Sequence, residues 1–254
     1  MQRCGRLTKM SKRGNSRVVE RVVELASSDA RLVGIFAEPA RISASRGVLL
    51  VQGGGVPAPN HARAWVTLAR RLAEGTLRTL RFDYHGVGES DGVVDDFDLS
   101  IPFIDDIVAA ARAHSDAGSS ELYIIGSCFG GRCALAAAAT GQLPTLRGVL
   151  LIDLPFAVAG LGRAATRNPV PDMIREMDQV LRAGITVTLV VGTLDASYES
   201  LTVDVMEMLA PFSDRGFSTV YMDNVAFHGL PSRESVESLH SAVADWLNGF
   251  PKAF

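Results

Sequence analysis

The chain has 254 residues, a length typical of one α/β domain, and 47% of them are hydrophobic, which is enough for a sizeable core. Its net charge of −3 gives no basic excess that would indicate a nucleic-acid partner. Apolar runs stay shorter than the roughly 18 residues that cross a bilayer, so we expect no membrane span.

The basic N-terminal residues predict where the domain begins, and the cysteines predict the cellular compartment. No apolar segment follows the basic residues 1–15, so we interpret them as a disordered lead-in rather than a signal peptide, and residues 16–254 as one domain. Cys4, Cys128 and Cys133 are an odd number without a disulfide framework, which predicts a reducing, cytoplasmic location. Because no Cys and His residues stand at zinc-site spacing, we expect no metal and no cofactor.

Hydrophobic periodicity predicts strands and helices in alternation after an initial strand pair. That pair comprises residues 17–25 and 32–36, joined by the turn-forming residues 27–30. Further strands are predicted over residues 47–51, 77–82, 122–125, 147–152, 185–191 and 218–222. Helices are predicted over residues 62–74, 102–114, 132–140, 174–183, 201–212 and 236–247. Short apolar strands between helices are typical of a parallel sheet covered on both faces, so we predict an α/β fold of about eight strands that binds ligands at their carboxyl edge.

A nucleophile elbow is indicated directly after the strand over residues 122–125. The sequence Gly126-Ser-Cys-Phe-Gly-Gly131 has the Gly-x-nucleophile-x-Gly pattern, with Cys128 at its centre. A strained strand-to-helix turn needs tiny residues two places before and after the nucleophile, and Gly126 and Gly130 meet that need. The helix N-terminus favours a thiolate on Cys128 and directs the amide of Phe129 toward a developing oxyanion.

Other interpretations of the elbow stay open at this point. Cys128 could be a small buried hydrophobic residue at a strand-helix turn, which is common for cysteine. Ser127 is a rival nucleophile, although it lies one position off the centre of the motif. Cys133 lies inside the following helix, so we expect it in the core.

An acid and a base follow the elbow in chain order. Asp195 comes just after the strand over residues 185–191 and could orient an imidazole, or it could merely cap a helix. Asp153 and Glu199 are alternative acids. His228 is the base candidate because, of five histidines, it alone follows both the elbow and the acid on a loop; the others are His61, His85, His114, which resembles a helix-end residue, and His240, which has a surface-like pattern.

Two glycine-rich turns follow the earlier strands. After residues 47–51, the run Gly53-Gly54-Gly55 allows close approach of backbone N–H groups to a ligand, and Gly54 is the expected second oxyanion donor. A flexible turn is the alternative. After residues 77–82, Asp83 is expected to tie a tight turn together, and His85 could line the pocket.

These segments together resemble the α/β-hydrolase superfamily, from about residue 17 onward. The Cys-centred elbow resembles that of dienelactone hydrolases, and the segment RFDYHGVGESDG is similar to one in serine aminopeptidase-like hydrolases. The GGG loop with its Asn-His pair and the RFDY turn is similar to exosortase-associated hydrolases. The resemblance implies a triad of Cys128, Asp195 and His228, and oxyanion donors Gly54 and Phe129. Many relatives insert a helical lid after the sixth strand, but here only residues 154–182 lie between strands, so we expect a short cap or none.

Two departures from the family pattern bear on the substrate. Gln52 replaces the histidine that commonly opens the oxyanion loop, and the charged residues that read a dienelactone carboxylate are not identifiable. Residues 155–162 are apolar and glycine-rich, and they form either a flap over an apolar acyl site or an ordinary loop.

The expected activity is hydrolysis of an activated acyl compound through a covalent acyl-enzyme on Cys128. A thiolate attacks well but also leaves easily, so thioesters and activated lactones or esters, free or carrier-bound, suit it better than amides. The alternatives are acyl transfer to an alcohol, amine or thiol, a non-catalytic binding module, and a lyase that uses His228 as base.

Overall fold

The computed structural model describes residues 17–28, 30–41, 44–156 and 166–250. The predicted lead-in over residues 1–15 lies outside these ranges, as do residues 157–162 of the predicted flap. Within them the strands are β1 (Val18–Ser27), β2 (Ala30–Pro39), β3 (Arg46–Val51), β4 (Arg78–Phe82), β5 (Glu121–Ser127), β6 (Leu146–Ile152), β7 (Thr186–Gly192) and β8 (Phe217–Met222).

These strands form one sheet in the order β1-β2-β4-β3-β5-β6-β7-β8. The pairs β1–β2 and β2–β4 are antiparallel, and every other pair of neighbours is parallel. This confirms the predicted eight-stranded, mostly parallel sheet in the described part of the chain. Because β3 to β8 run in the same direction, the turns that follow them meet at one edge of the sheet.

Seven α-helices lie in the described ranges: α1 (Ala64–Glu74), α2 (Ile104–Asp116), α3 (Phe129–Ala139), α4 (Val170–Arg182), α5 (Ala196–Ser200), α6 (Val203–Leu209) and α7 (Arg233–Asn248). The single helix predicted over residues 201–212 is wrong. The chain starts α6 only after Thr202, whose side chain accepts a hydrogen bond from the Val205 amide, and it tightens into a 3₁₀ turn over Ala210–Arg215. None of the described helices is long and apolar enough to cross a bilayer.

Both faces of the central strands are buried, whereas the edge strands β1 and β8 carry exposed residues. Along β3, Leu49 and Val51 belong to the core layer that includes α2, α3 and α4, whereas Val48 and Leu50 belong to the layer beneath α1 and α7. This alternation explains why the strand has an uninterrupted apolar sequence. Between β6 and β7 the only helix in the described residues is α4, which packs against α3, so these residues form no helical cap over the carboxyl edge.

Candidate active site

The turn between β5 and α3 holds Cys128 in a strained backbone conformation. Its φ is 51° and its ψ is −119°, in a region that side-chain-bearing residues rarely adopt. The turn is fixed to the neighbouring strand because the Cys128 N–H donates to the Ile152 carbonyl at 2.9 Å. A methyl group on Gly126 would come within 2.5 Å of the Gly130 carbonyl oxygen, and one on Gly130 within 2.6 Å of the Val51 oxygen. The glycines are therefore required by close backbone packing, as the sequence predicted.

A buried ion pair anchors the helix that follows the elbow. The Arg132 guanidinium on α3 makes two contacts with the Glu176 carboxylate on α4, at 2.5 and 2.9 Å. Its Nε–H also donates to the Leu99 carbonyl at 2.9 Å. Burial raises the pKa of Glu176, while the neighbouring Arg132 lowers it. The position of the elbow helix thus depends on a paired charge inside the protein.

His228 lies next to Cys128 on the loop after β8. Hydrogen bonding to Asp153 and to Cys128 raises the pKa of His228 to about 10. The side chain is 68% exposed, and its Nδ1 lies 3.3 Å from Asp153 Oδ2. The imidazole therefore lies between a cysteine side chain and a carboxylate, and both contacts favour its protonated form.

Asp195 also reaches the histidine, but through the backbone. Its two carboxylate oxygens accept the N–H groups of Phe227 at 2.7 Å and of His228 at 2.9 Å. Burial and the charge of Asp153 raise the pKa of Asp195, and the two backbone bonds oppose that rise. Gly192 makes the contact possible, because a methyl group there would lie 2.7 Å from Asp195 Oδ2.

The alternative acid Asp153 is the carboxylate that lies beside the ring. It follows β6, is buried, and has a positive φ of 52°. Its Oδ1 accepts a hydrogen bond from the Ser197 hydroxyl, which leaves Oδ2 facing His228. The third candidate acid, Glu199, is exposed on α5.

The glycine run after β3 approaches the elbow from the other side. A methyl group on Gly53 would lie 3.7 Å from the Cys128 Cβ, whereas one on Gly54 would lie 2.6 Å from the Phe97 Cβ and 2.7 Å from its ring. Gln52 holds this loop: its side-chain amide donates to the Phe82 carbonyl at 2.6 Å, and its own carbonyl accepts the Tyr84 hydroxyl at 3.0 Å. Gln52 thus serves as a buried anchor in the place of the usual histidine.

The amide of Phe129 follows Cys128 directly in the chain. Phe129 is the first residue of α3, so its N–H is one of the first-turn groups that have no acceptor within the helix. With the glycine run, this amide could surround a carbonyl oxygen placed at Cys128.

Two cavities open beside Cys128 and His228, which line both. The first has a volume of about 130 Å³, with Gly53, Gly54, His61 and Trp65 in its wall. The second has about 350 Å³, and its wall includes Asp153, Asp195 and Leu194. A substrate with two parts could therefore place its reacting carbonyl between them.

The remaining sequence candidates lie elsewhere or have structural contacts. Asp83 ties its turn as predicted, since its carboxylate accepts the Ala58 amide at 2.6 Å. His85 does not line either cavity; it pairs with Asp106 at 2.8 Å in a separate depression. His240 is not a surface residue but is buried, with Nδ1 2.7 Å from Arg71 on α1. His61, which the sequence did not single out, lines the first cavity.

Two further expectations concern thiols and metals. Cys133 is fully buried, as predicted, and burial raises the pKa of its thiol to about 12. Among the described residues, no group of three or more His, Cys, Asp or Glu side chains could hold a metal ion.

Comparison with known proteins places the geometry in a wider group. The profile of the Alpha/beta hydrolase family matches residues 48–250. No curated protein sequence matches the chain. Among solved structures, the dienelactone hydrolase from Anabaena variabilis ATCC 29413 shares 18% identity over 93% of this chain and 100% of its own, with a TM-score of 0.67.

Two other solved structures have a similar fold. The Pyrococcus furiosus esterase Pf2001 shares 15% identity over 97% of both chains, with a TM-score of 0.70. The thioesterase domain from the curacin biosynthetic pathway shares 12% identity over 89% of this chain and 99% of its own, with a TM-score of 0.61. At these identities the likeness establishes the fold.

Proposed function

Since the chain belongs to the Alpha/beta hydrolase family, we propose that it hydrolyses activated acyl compounds through a covalent intermediate on Cys128. The observation that carries this proposal is the placement of His228 beside the strained elbow cysteine, in a hydrogen bond with it and at the wall of the same two cavities. An imidazole that holds its proton beside a thiol favours the thiolate, which is the nucleophilic form of cysteine. Esters, lactones and thioesters, free or on a carrier, are the proposed substrates.

In the first half-reaction the Cys128 sulfur attacks the acyl carbonyl and forms a C–S bond. The carbonyl electron pair moves to oxygen, where the amides of Phe129 and Gly54 are the proposed hydrogen-bond donors. Collapse of this intermediate breaks the bond to the leaving group, which takes the proton from His228. Asp195 contributes by fixing the backbone of the loop that carries the imidazole.

In the second half-reaction His228 acts as a base. Acylation removes the thiolate, and with it one of the two contacts that raise the pKa of the imidazole. The imidazole can then accept a proton from water as the water attacks the acyl carbon. Breakage of the C–S bond releases the acid and restores the thiolate, a good leaving group that needs no protonation.

The names of the similar structures support this substrate range. They include a dienelactone hydrolase, an esterase and a thioesterase domain. All three names denote cleavage at an acyl carbon attached to an oxygen or a sulfur. Their common reaction is the one for which a cysteine nucleophile is suited.

The test compares wild type with Cys128→Ala on p-nitrophenyl esters and acyl thioesters. We expect an acyl adduct on Cys128 by intact mass, and a loss of roughly 10³-fold or more in kcat/KM for the variant. Cys133→Ala is the matched control, because this second thiol is buried and its pKa is raised to about 12, and we expect it to retain activity. Equal turnover by wild type and Cys128→Ala would overturn the proposal, and a wild type with no turnover and an unlabelled Cys128 would favour a binding module.

The two cavities support acyl transfer as a second candidate. An acyl group in the cavity of about 130 Å³ would leave the one of about 350 Å³ for an alcohol, amine or thiol acceptor. Mass spectrometry of products formed with an added acceptor distinguishes the two reactions. A product that contains the acceptor supports transfer, and free acid alone supports hydrolysis.

A further inference from the structure

Two buried carboxylates flank His228 and contact different parts of it. Asp153 follows β6 and Asp195 follows β7, and each is 4% exposed or less. The ring nitrogen Nδ1 lies 3.3 Å from Asp153 Oδ2. The backbone N–H of the same residue donates to Asp195 Oδ1 at 2.9 Å. Asp153 can therefore act on the imidazole ring, whereas Asp195 acts on the main chain of the loop.

Asp195 is committed to the backbone of the loop. Each of its oxygens accepts one main-chain N–H, from Phe227 and from His228. The ring forms its ion pair with Asp153, and neither Asp195 oxygen comes within ion-pair distance of a ring nitrogen. A carboxylate bound in this way sets where the loop lies, but it does not choose which ring nitrogen carries the proton.

Asp153 is built to face the ring. Its main chain adopts a positive φ of 52°, and its N–H donates to the Val190 carbonyl at 2.9 Å, which fixes the start of the side chain. The Ser197 hydroxyl binds Oδ1 and so orients the carboxylate. The distance of 3.3 Å to Nδ1 is long for a hydrogen bond, and catalytic contacts of this kind often tighten when substrate is bound.

On this geometry, and resting on the proposed function, we propose that Asp153 is the acid that holds the imidazolium of His228. Asp195 is a positioning residue that fixes the histidine loop. The Asp153 carboxylate binds Nδ1–H, which leaves Nε2 to exchange its proton with Cys128 and with the leaving group. The acid of this enzyme therefore follows β6, while the carboxylate after β7 has a structural task.

The experiment compares Asp153→Asn with Asp195→Asn in the full chain. The first readout is the pH dependence of Cys128 alkylation by iodoacetamide, which reports the thiolate–imidazolium pair. The groups that face His228 in this readout are Asp153, Asp195 and Cys128. The second readout is kcat/KM on an acyl thioester, and the third is thermal unfolding.

For Asp153→Asn we expect alkylation near pH 7 to slow by roughly tenfold or more and its pH profile to shift. A neutral amide no longer stabilises the imidazolium, and it can bind the wrong tautomer, so kcat should fall by roughly 10²–10⁴-fold. Asp153→Glu keeps the negative charge and should restore part of the alkylation rate. It also tests the inference if Asp153→Asn does not fold.

For Asp195→Asn we expect the larger effect on thermal unfolding and the smaller one on Cys128 alkylation. The new amide group can present N–H donors to the backbone N–H groups of Phe227 and His228, so the unfolding temperature should fall. The alkylation midpoint should move less than in Asp153→Asn, because the carboxylate beside the ring keeps its charge. The inference is overturned if Asp195→Asn shifts that midpoint as much as Asp153→Asn does, or more. A wild type that forms no Cys128 adduct refutes the proposed function itself, which is a different result.

Discussion

The elbow and the histidine loop hold Cys128 and His228 by different means. At the elbow, backbone atoms leave no space for a methyl group on Gly126 or Gly130. In the loop, a methyl group on Gly229 would meet nothing within 4 Å, and the His228 side chain is 68% exposed. Polar contacts from Asp153 and Asp195 take the place of packing there. Cys128 is thus fixed by steric fit, and His228 by a few hydrogen bonds.

The largest expected effect comes from adding one methyl group to each region. Gly130→Ala should destabilise the protein by roughly 4 kcal/mol or more, because the methyl would lie 2.6 Å from the Val51 carbonyl oxygen and the clash is with backbone. Gly229→Ala should cost only about 1–2 kcal/mol, the penalty of a positive φ for a residue with a Cβ. Urea unfolding of both variants provides the comparison. Equal losses would contradict a steric difference between the regions.

A smaller loss of stability is expected when the buried charge of Arg132, on the elbow helix, loses its partner Glu176. Glu176→Gln leaves the Arg132 guanidinium buried without its counter-charge, which should cost about 3 kcal/mol and lower activity through a displaced α3. Asp178→Asn is the matched control on the same helix, because Asp178 pairs with Arg182 and Arg215 at the surface. We expect little change in its unfolding midpoint. If both variants lose the same stability, the elbow does not depend on the buried pair.

The same contrast explains what the sequence could predict. The elbow could be predicted because its tight turn requires glycine at fixed positions, and Gly126 and Gly130 stand two residues on either side of Cys128. The central strands could be predicted because both of their faces are buried, which gives them continuous apolar sequences. Such features depend on residues that are close in sequence, and they survive without knowledge of the tertiary contacts.

The partner of the imidazole could not be read in this way. Asp153 and Asp195 both follow a strand, and only the course of the loop, set by two backbone bonds to Asp195, turns the His228 ring toward Asp153. The burial of His240 was missed for a related reason. Its partner Arg71 lies 169 residues away on α1, so no local pattern records the contact.

The smallest expected effect is the change of the free energy of unfolding with pH. The buried scaffold, represented by His114, and the histidine loop, represented by His228, should contribute with opposite sign. In the scaffold, burial and the neighbouring Arg78 lower the pKa of His114 to about 3, from 6.5 when exposed. The unfolded chain therefore binds the proton more readily, and stability is lost as the pH falls below 6.5. For this one group we expect a loss of about 2 kcal/mol between pH 7 and pH 5.

His228 in the loop works the other way. Its pKa is raised to about 10, so its contribution to stability is complete below pH 6.5 and is lost as the pH rises toward 10. Because the side chain is largely exposed, we expect this second effect to be the smaller one.

Urea unfolding from pH 5 to pH 10 measures both limbs in wild type, His114→Gln and His228→Gln. His114→Gln should flatten the acid limb, apart from the part due to His240, whose pKa burial also lowers. His228→Gln should flatten only the alkaline limb. If the acid limb is unchanged in His114→Gln, protonation of the buried imidazole costs no stability. Burial in the scaffold would then not make stability more sensitive to pH than exposure in the loop.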